Sequence, residues 1–111
     1  VVRHRNHLDV ITQNALPTSA NTIYNLTDAN NVMSGSYQLA EVATGVFALK
    51  AGDFDGNGLI TVADFNKYLM EVSGVNGYFS SDCTLDSAVT VADYNAYINN
   101  SSVIGVSAVR F

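Results

Sequence analysis

An α+β fold is predicted for this 111-residue chain, because its two halves follow different periodicities. Residues 1–50 carry short runs of β-branched and aromatic residues broken by Asn, Ser, Thr and Gly. Residues 51–100 carry a duplicated unit, in which an oxygen-rich loop leads into an apolar pattern at helical spacing. The duplication is plain: "TVADFNKYLM" (61–70) and "TVADYNAYIN" (90–99) are identical at six of ten positions. Residues 101–111 form a short tail of strand character.

The first half is read as a β segment packed on the second. "VVRHRNHLDVIT" is a strand-like run that puts Arg3, Arg5 and His7 on one face and His4 and Asn6 on the other. On opposite sides of such a strand, His4 and His7 make a poor metal pair. An exposed polar strand, or a buried Arg beside an acid, is the plainer reading. "TIYNLTD", "SYQLAEV" and "GVFALKA" are further strand candidates, and "ALPTSANT" and "DANN" are loops.

In the second half, Thr61 and Thr90 each precede an apolar run, with Asp64 and Asp93 three residues on. That is a capping-box start, in which hydroxyl and carboxylate satisfy free backbone N–H groups. Val62, Phe65, Leu69 and Val72 then fall at helical spacing, as do Val91, Tyr94 and Ile98, so these faces are expected to be buried. Neither short helix can bury its apolar face alone, and the two are expected to pack about a pseudo-twofold axis. Gly74 is the expected left-handed stop of the first helix, and Asn99 or Asn100 closes the second. Tyr68, Tyr94, Tyr97 and Phe65 read as core, with a carbohydrate-stacking surface as the alternative. The tail "SSVIGVSAVRF" either returns to the β half as an added strand or pairs with a neighbouring chain.

Composition excludes several functions. Net charge is −5, and seven of the ten acids lie between Asp53 and Asp93, which disfavours nucleic acid and points to cations. No run approaches the roughly 20 apolar residues of a membrane span. Cys83 is the sole cysteine, which rules out an intrachain disulfide, and no histidine follows His7 to activate the thiol, so a small apolar filler is expected. No Ser/His/Asp set, zinc cluster or phosphate loop is present, and a non-enzyme is expected. Without an initiator Met or a signal segment, the chain reads as a piece processed from something longer. "NLT" at Asn25, "NSS" at Asn100 and "DSA" at Ser87 match short glycosylation patterns; a sugar on Ser87 would compete with the loop around it.

The acidic segment has a metal-ligand spacing. Calcium takes about six to eight oxygens, which helix–loop–helix sites supply from places 1, 3, 5, 7, 9 and 12 of a 12-residue loop. Counted from Asp53, those places hold Asp53, Asp55, Asn57, the carbonyl of Leu59, Thr61 and Asp64, with Gly58 at the sharp turn. Counted from Asp82, they hold Asp82, Thr84, Asp86, Thr90 and Asp93, with Ser87 in place of the turn glycine. A neutral donor at Thr84 and about 1 kcal/mol of strain at Ser87 make this second loop the weaker of two Ca²⁺ sites, or only an acidic surface turn. Neither loop is preceded by helical sequence: "GVFALKAG" and "NGYFSS" are short and strand-like.

Two calcium loops without entering helices, each ending in Asp and followed by a short helix, resemble the dockerin family. "GDFDGNGLITVADFNKYL" matches closely and "SSDCTLDSAVTVADYNAYI" loosely, over residues 51 to about 100. The resemblance implies a pair of calcium loop–helix (F-hand) repeats. It adds the carbonyl of Ala88 to the second ligand set and makes Val62–Ala63 and Val91–Ala92 the partner-contacting pairs. "RHRNHLDVIT" followed by "GVFALKAGDFDGNG" is also similar to the C-terminal regions of large adhesin-like proteins of the type IX secretion kind. Together these imply a secreted or cell-surface docking module whose partner is cohesin-like, the secretion machinery or a second copy. The alternative is a subunit that self-assembles into an extracellular filament through its terminal strands.

Overall fold

The computed structural model describes residues 1–16, 18, 19, 21–33 and 37–104. The fold is a small α+β arrangement of two antiparallel hairpins and two helices. Strands β1 (Val2–His4) and β2 (His7–Val10) form one hairpin; β3 (Leu39–Ala43) and β4 (Val46–Leu49) form the other. Helices α1 (Val62–Glu71) and α2 (Val91–Ile98) follow.

The first run is a hairpin, which corrects the expectation of one strand. His4 pairs with His7 and Val2 with Val10, so Arg5 and Asn6 become the turn and the two histidines face each other. Asn6 fixes that turn from inside: it is fully buried, and its side-chain N–H donates to the Asp82 carbonyl at 2.5 Å. A turn residue anchored 76 positions away is invisible to local periodicity. On β2, the alternation expected of a half-buried strand holds, with Leu8 and Val10 buried. Leu8 N–H donates to the Lys50 carbonyl and Gly52 N–H to the Asn6 carbonyl, both at 2.9 Å, which stitches the exit of β4 along β2.

"TIYNLTD" is not a strand. Asn25 Oδ1 accepts from the Thr27 N–H and hydroxyl, and Asp28 Oδ1 accepts from the Asn30 N–H, which caps a 3-10 turn at Ala29–Asn31. Short polar side chains bonded to their own backbone outcompete a ladder there.

Two apolar clusters result. Val10, Val32 and Leu39 form the smaller one, with Val2, Leu26, Phe47 and Leu49 packed around them. Leu8, Phe54, Ile60, Tyr68, Val89 and Tyr97 form the larger, with Phe65, Phe79, Cys83, Tyr94 and Val103 against it. Leu8 and Val10 lie on one face of β2, so a single strand contributes to both.

Thr61 and Thr90 cap α1 and α2 with complete capping boxes. The aromatic positions are core as expected, whereas the aliphatic ones are not. Asp64, Phe65 and Tyr68 turn inward on α1, and Asp93, Tyr94 and Tyr97 on α2, while Val62, Leu69, Val72, Val91 and Ile98 are exposed. The cause is the capping carboxylate. Once Asp64 reaches back into its loop, Tyr68 four residues on shares its face, and Phe65, three before Tyr68, borders the same stripe; the equivalent positions on α2 are Tyr97 and Tyr94. The four rings interlock, with centroids of Phe65–Tyr94, Phe65–Tyr97 and Tyr68–Tyr94 at 5.9, 6.2 and 5.8 Å. They are core rather than a sugar platform.

The repeats pack reciprocally. Ser73 N–H donates to the Val89 carbonyl at 3.0 Å and Val89 N–H to the Gly74 carbonyl at 2.9 Å. The counterparts are Ser102 N–H to the Ile60 carbonyl at 2.7 Å and Ile60 N–H to the Val103 carbonyl at 2.9 Å. Each loop thus closes on the exit of the other helix, as a pseudo-twofold pair does. Asn99 closes α2 as expected, whereas on α1 the C-cap is Val72 and the left-handed residue after it is Ser73, at φ 70°, rather than Gly74; Ser102, at φ 71°, makes the corresponding left-handed step beyond α2. Gly74 serves close approach instead, since a Cβ there would lie 2.5 Å from the Phe79 ring. Of the tail, Ile104 bridges to Leu59 beside the first loop; residues 105–111, where a return to the β half was expected, lie outside the described residues.

Candidate metal centre

In the first loop, Asp64 holds the chain in a ring from inside α1. Its Oδ1 accepts from the Phe54 and Asp55 N–H groups at 2.8 and 3.1 Å, and its Oδ2 from Thr61 N–H at 2.8 Å. Asp53 Oδ2 accepts from Gly58 N–H at 2.9 Å across the turn. Asp55 accepts from the Asn57 N–H and side chain, and Asn57 Oδ1 accepts from Leu59 N–H at 2.8 Å. Gly56 and Gly58, at φ 73° and 80°, supply the left-handed steps this path requires.

Carboxylate oxygens of Asp53, Asp55 and Asp64 come within 4.8 Å of one another. Asp53 is 5% exposed and Asp64 fully buried. Asp53 Oδ1 is buried with no hydrogen-bond partner among the described residues. Burial pushes Asp53 up to about 6, the Gly58 amide opposes this, and the charges of Asp64 and Asp55 push further. Three carboxylates this close, one bearing an unsatisfied buried oxygen, could hold a hard cation. Asp64 Oδ2, accepting a single amide, retains a lone pair for such an ion. Asn57, the Leu59 carbonyl and Thr61 complete the predicted set by sequence place; Thr61 Oγ1 also accepts from the Ala63 N–H as the helix cap.

The second loop repeats the helix-capping and cross-turn bonds of this scaffold. Asp93 Oδ1 accepts from Cys83 and Thr84 N–H, and its Oδ2 from Thr90 N–H, at 2.8, 3.1 and 2.8 Å. Asp82 Oδ2 accepts from Ser87 N–H at 3.0 Å, and Asp86 Oδ1 from Ala88 N–H at 3.0 Å. Ser87 is left-handed (φ 69°), as expected, and so is Leu85 (φ 60°), at the place of Gly56. The loop is therefore strained twice. Its centre also differs. Asp82 Oδ1 accepts from Asp86 N–H at 3.2 Å and faces the Thr84 hydroxyl at 3.4 Å, and the Arg5 guanidinium stands 3.6 Å from Asp82 Oδ2. Among the described residues, Asp82, Asp86 and Asp93 do not converge as the first-loop acids do.

Cys83 packs against the larger core, where burial, then Asp93 and Asp82, push its thiol up to about 12, so it is a filler without thiolate character. Val62 and Val91, 68% and 67% exposed, stand with Ala63 and Ala92 on the outer first turns of the helices. Asn100, at one glycosylation pattern, donates its side-chain N–H to the Ala51 and Ala96 carbonyls.

Arg5 bears out the reading of a buried Arg beside an acid, though not which acid; Asn6 and Glu71 are positioning residues that sequence reasoning missed. Arg5 and Asn6 reach the second loop from the far hairpin, and Glu71 accepts from the Ser81 N–H at 2.9 Å and from the Ser80 and Ser81 hydroxyls. The one signal was charge: Arg3 and Arg5 are two of only five bases in an acidic chain. No protein family matches the sequence, and comparison with curated proteins and with solved structures finds no match.

Proposed function

We propose that the chain is a non-catalytic, calcium-stabilised attachment module with a dockerin-like pair of loop–helix repeats. The observation that carries this is Asp53 Oδ1, an orphaned buried carboxylate oxygen among three converging acids. Ca²⁺ there would be held by Asp53, Asp55, Asn57, the Leu59 carbonyl, Thr61 and Asp64. Its role is structural: it neutralises charges that otherwise repel and fixes the loop from which α1 starts. All the donors are oxygens, which favours Ca²⁺ over softer metals.

Attachment is supported by the outer faces of the helices. Val62, Leu69, Met70, Val72 and Val91 are exposed, apolar surface suited to a protein partner of cohesin-like or secretion-machinery kind. No helix among the described residues is long and apolar enough to cross a membrane. An extracellular or cell-surface setting suits a site of modest charge, since calcium there is abundant.

Titration calorimetry with CaCl₂ on the metal-stripped chain tests the reading. Wild type should show a binding event that Asp53→Ala abolishes. At calcium 100-fold above its Kd, the folded state should gain about 2.7 kcal/mol, which EGTA reverses. No heat with wild type, or full binding by Asp53→Ala, ends the reading.

A further inference from the structure

We infer that Arg5 is the resident cation of the second loop: its guanidinium neutralises Asp82, so the chain takes up one divalent ion rather than two. The inference rests on the first loop being the calcium site, and it follows from comparing equivalent atoms in the two repeats. Asp53 and Asp82 are both buried at the first place of their loops. Asp53 Oδ1 has no partner among the described residues, whereas Asp82 Oδ1 accepts from Asp86 N–H at 3.2 Å and faces the Thr84 hydroxyl at 3.4 Å. Asp82 Oδ2, besides Ser87 N–H, has the Arg5 guanidinium at 3.6 Å.

Arg5 is held there from three sides. It occupies the β1–β2 turn; its neighbour Asn6 donates to the Asp82 backbone carbonyl at 2.5 Å; and its guanidinium lies 3.8 Å from the centre of the Tyr78 ring. Its Nε is buried with no partner among the described residues, a cost set against the charge of Asp82. Thr84 completes the substitution. Where the first loop has Asp55, the second has a hydroxyl that also lies 3.2 Å from Asp93 Oδ1, filling the centre with a donor. A positively charged side chain beside a divalent ion's first ligand is repulsive, so guanidinium and ion exclude each other.

Calorimetric titration of the metal-stripped full chain with CaCl₂ decides it. Wild type should bind one ion, Arg5→Lys one, Asp82→Asn one with unchanged affinity, and Arg5→Gln two. Two ions on wild type, loss of an ion in Asp82→Asn, or a single ion on Arg5→Gln overturns the inference while leaving the first-loop reading intact. Thermal melts in EGTA give an arm independent of calcium. Arg5→Gln should lower the melting temperature in the wild-type background and lower it far less in Asp82→Asn. Equal shifts in both backgrounds would overturn the pairing even if the first loop bound no calcium.

Discussion

Asp64 and Asp93 each cap a helix and gather the amides of the preceding loop, so one carboxylate settles both helix start and loop shape. That pairing is why the helices turn aromatic rings rather than aliphatic side chains inward. Elsewhere a single position decides between neutral and charged forms. His7 is lowered from 6.5 to about 4 by burial, then by His4, whose Nδ1 lies 2.9 Å away; Asn6 Oδ1 sits 2.7 Å from the His7 Nδ1. The unfolded chain takes up this proton near 6.5 and the folded chain only near 4, so the unfolded state binds more protons between those values. Stability should therefore fall as pH drops through that window, by about 2 kcal/mol from this residue after discounting for screening of its part-exposed ring. Denaturant unfolding at pH 7 and pH 4.5 checks it: the difference should shrink in His7→Gln, and an unchanged difference counts against the assignment.

The connection between the loops is held as firmly as the loops themselves. Glu71, at the last turn of α1, is kept below its ordinary range: burial opposes this, and hydrogen bonds from Ser81 and Ser80 together with Lys67 outweigh it. Ser81 is fully buried. Glu71→Ala would leave its N–H and hydroxyl without acceptors and should cost about 2 kcal/mol, read by chemical denaturation. Helix starts, loop boundaries and the convergence of Asp53, Asp55 and Asp64 were legible in the sequence because each is fixed by bonds spanning two to ten residues. The hairpin at Arg5–Asn6, the outward turn of Val62, Leu69, Val72, Val91 and Ile98, and the left-handed Ser73, Leu85 and Ser102 were not. Each depends on a partner distant in sequence, or on a carboxylate overriding apolar periodicity. The first-loop acids follow from their spacing, whereas Asp82 meets Arg5 only because the β1–β2 turn folds onto the second loop.

At the scale of the molecule, β2 joins the two halves, with Leu8 in the larger cluster and Val10 in the smaller. Leu8→Ala should cost about 2–4 kcal/mol and lower the melting of the whole chain as one transition. A first transition confined to the hairpins would show the halves to be independent. The crossed closure of the repeats bears on how the chain carries load. Residues 102–104 form a segment beside the first loop, where Ile104 lies against Leu59 and Val103 accepts from Ile60. Tension arriving along that segment is met at the rim of the acid cluster before it reaches α2. If the proposed Ca²⁺ binds there, it would also be the rivet against which that segment pulls.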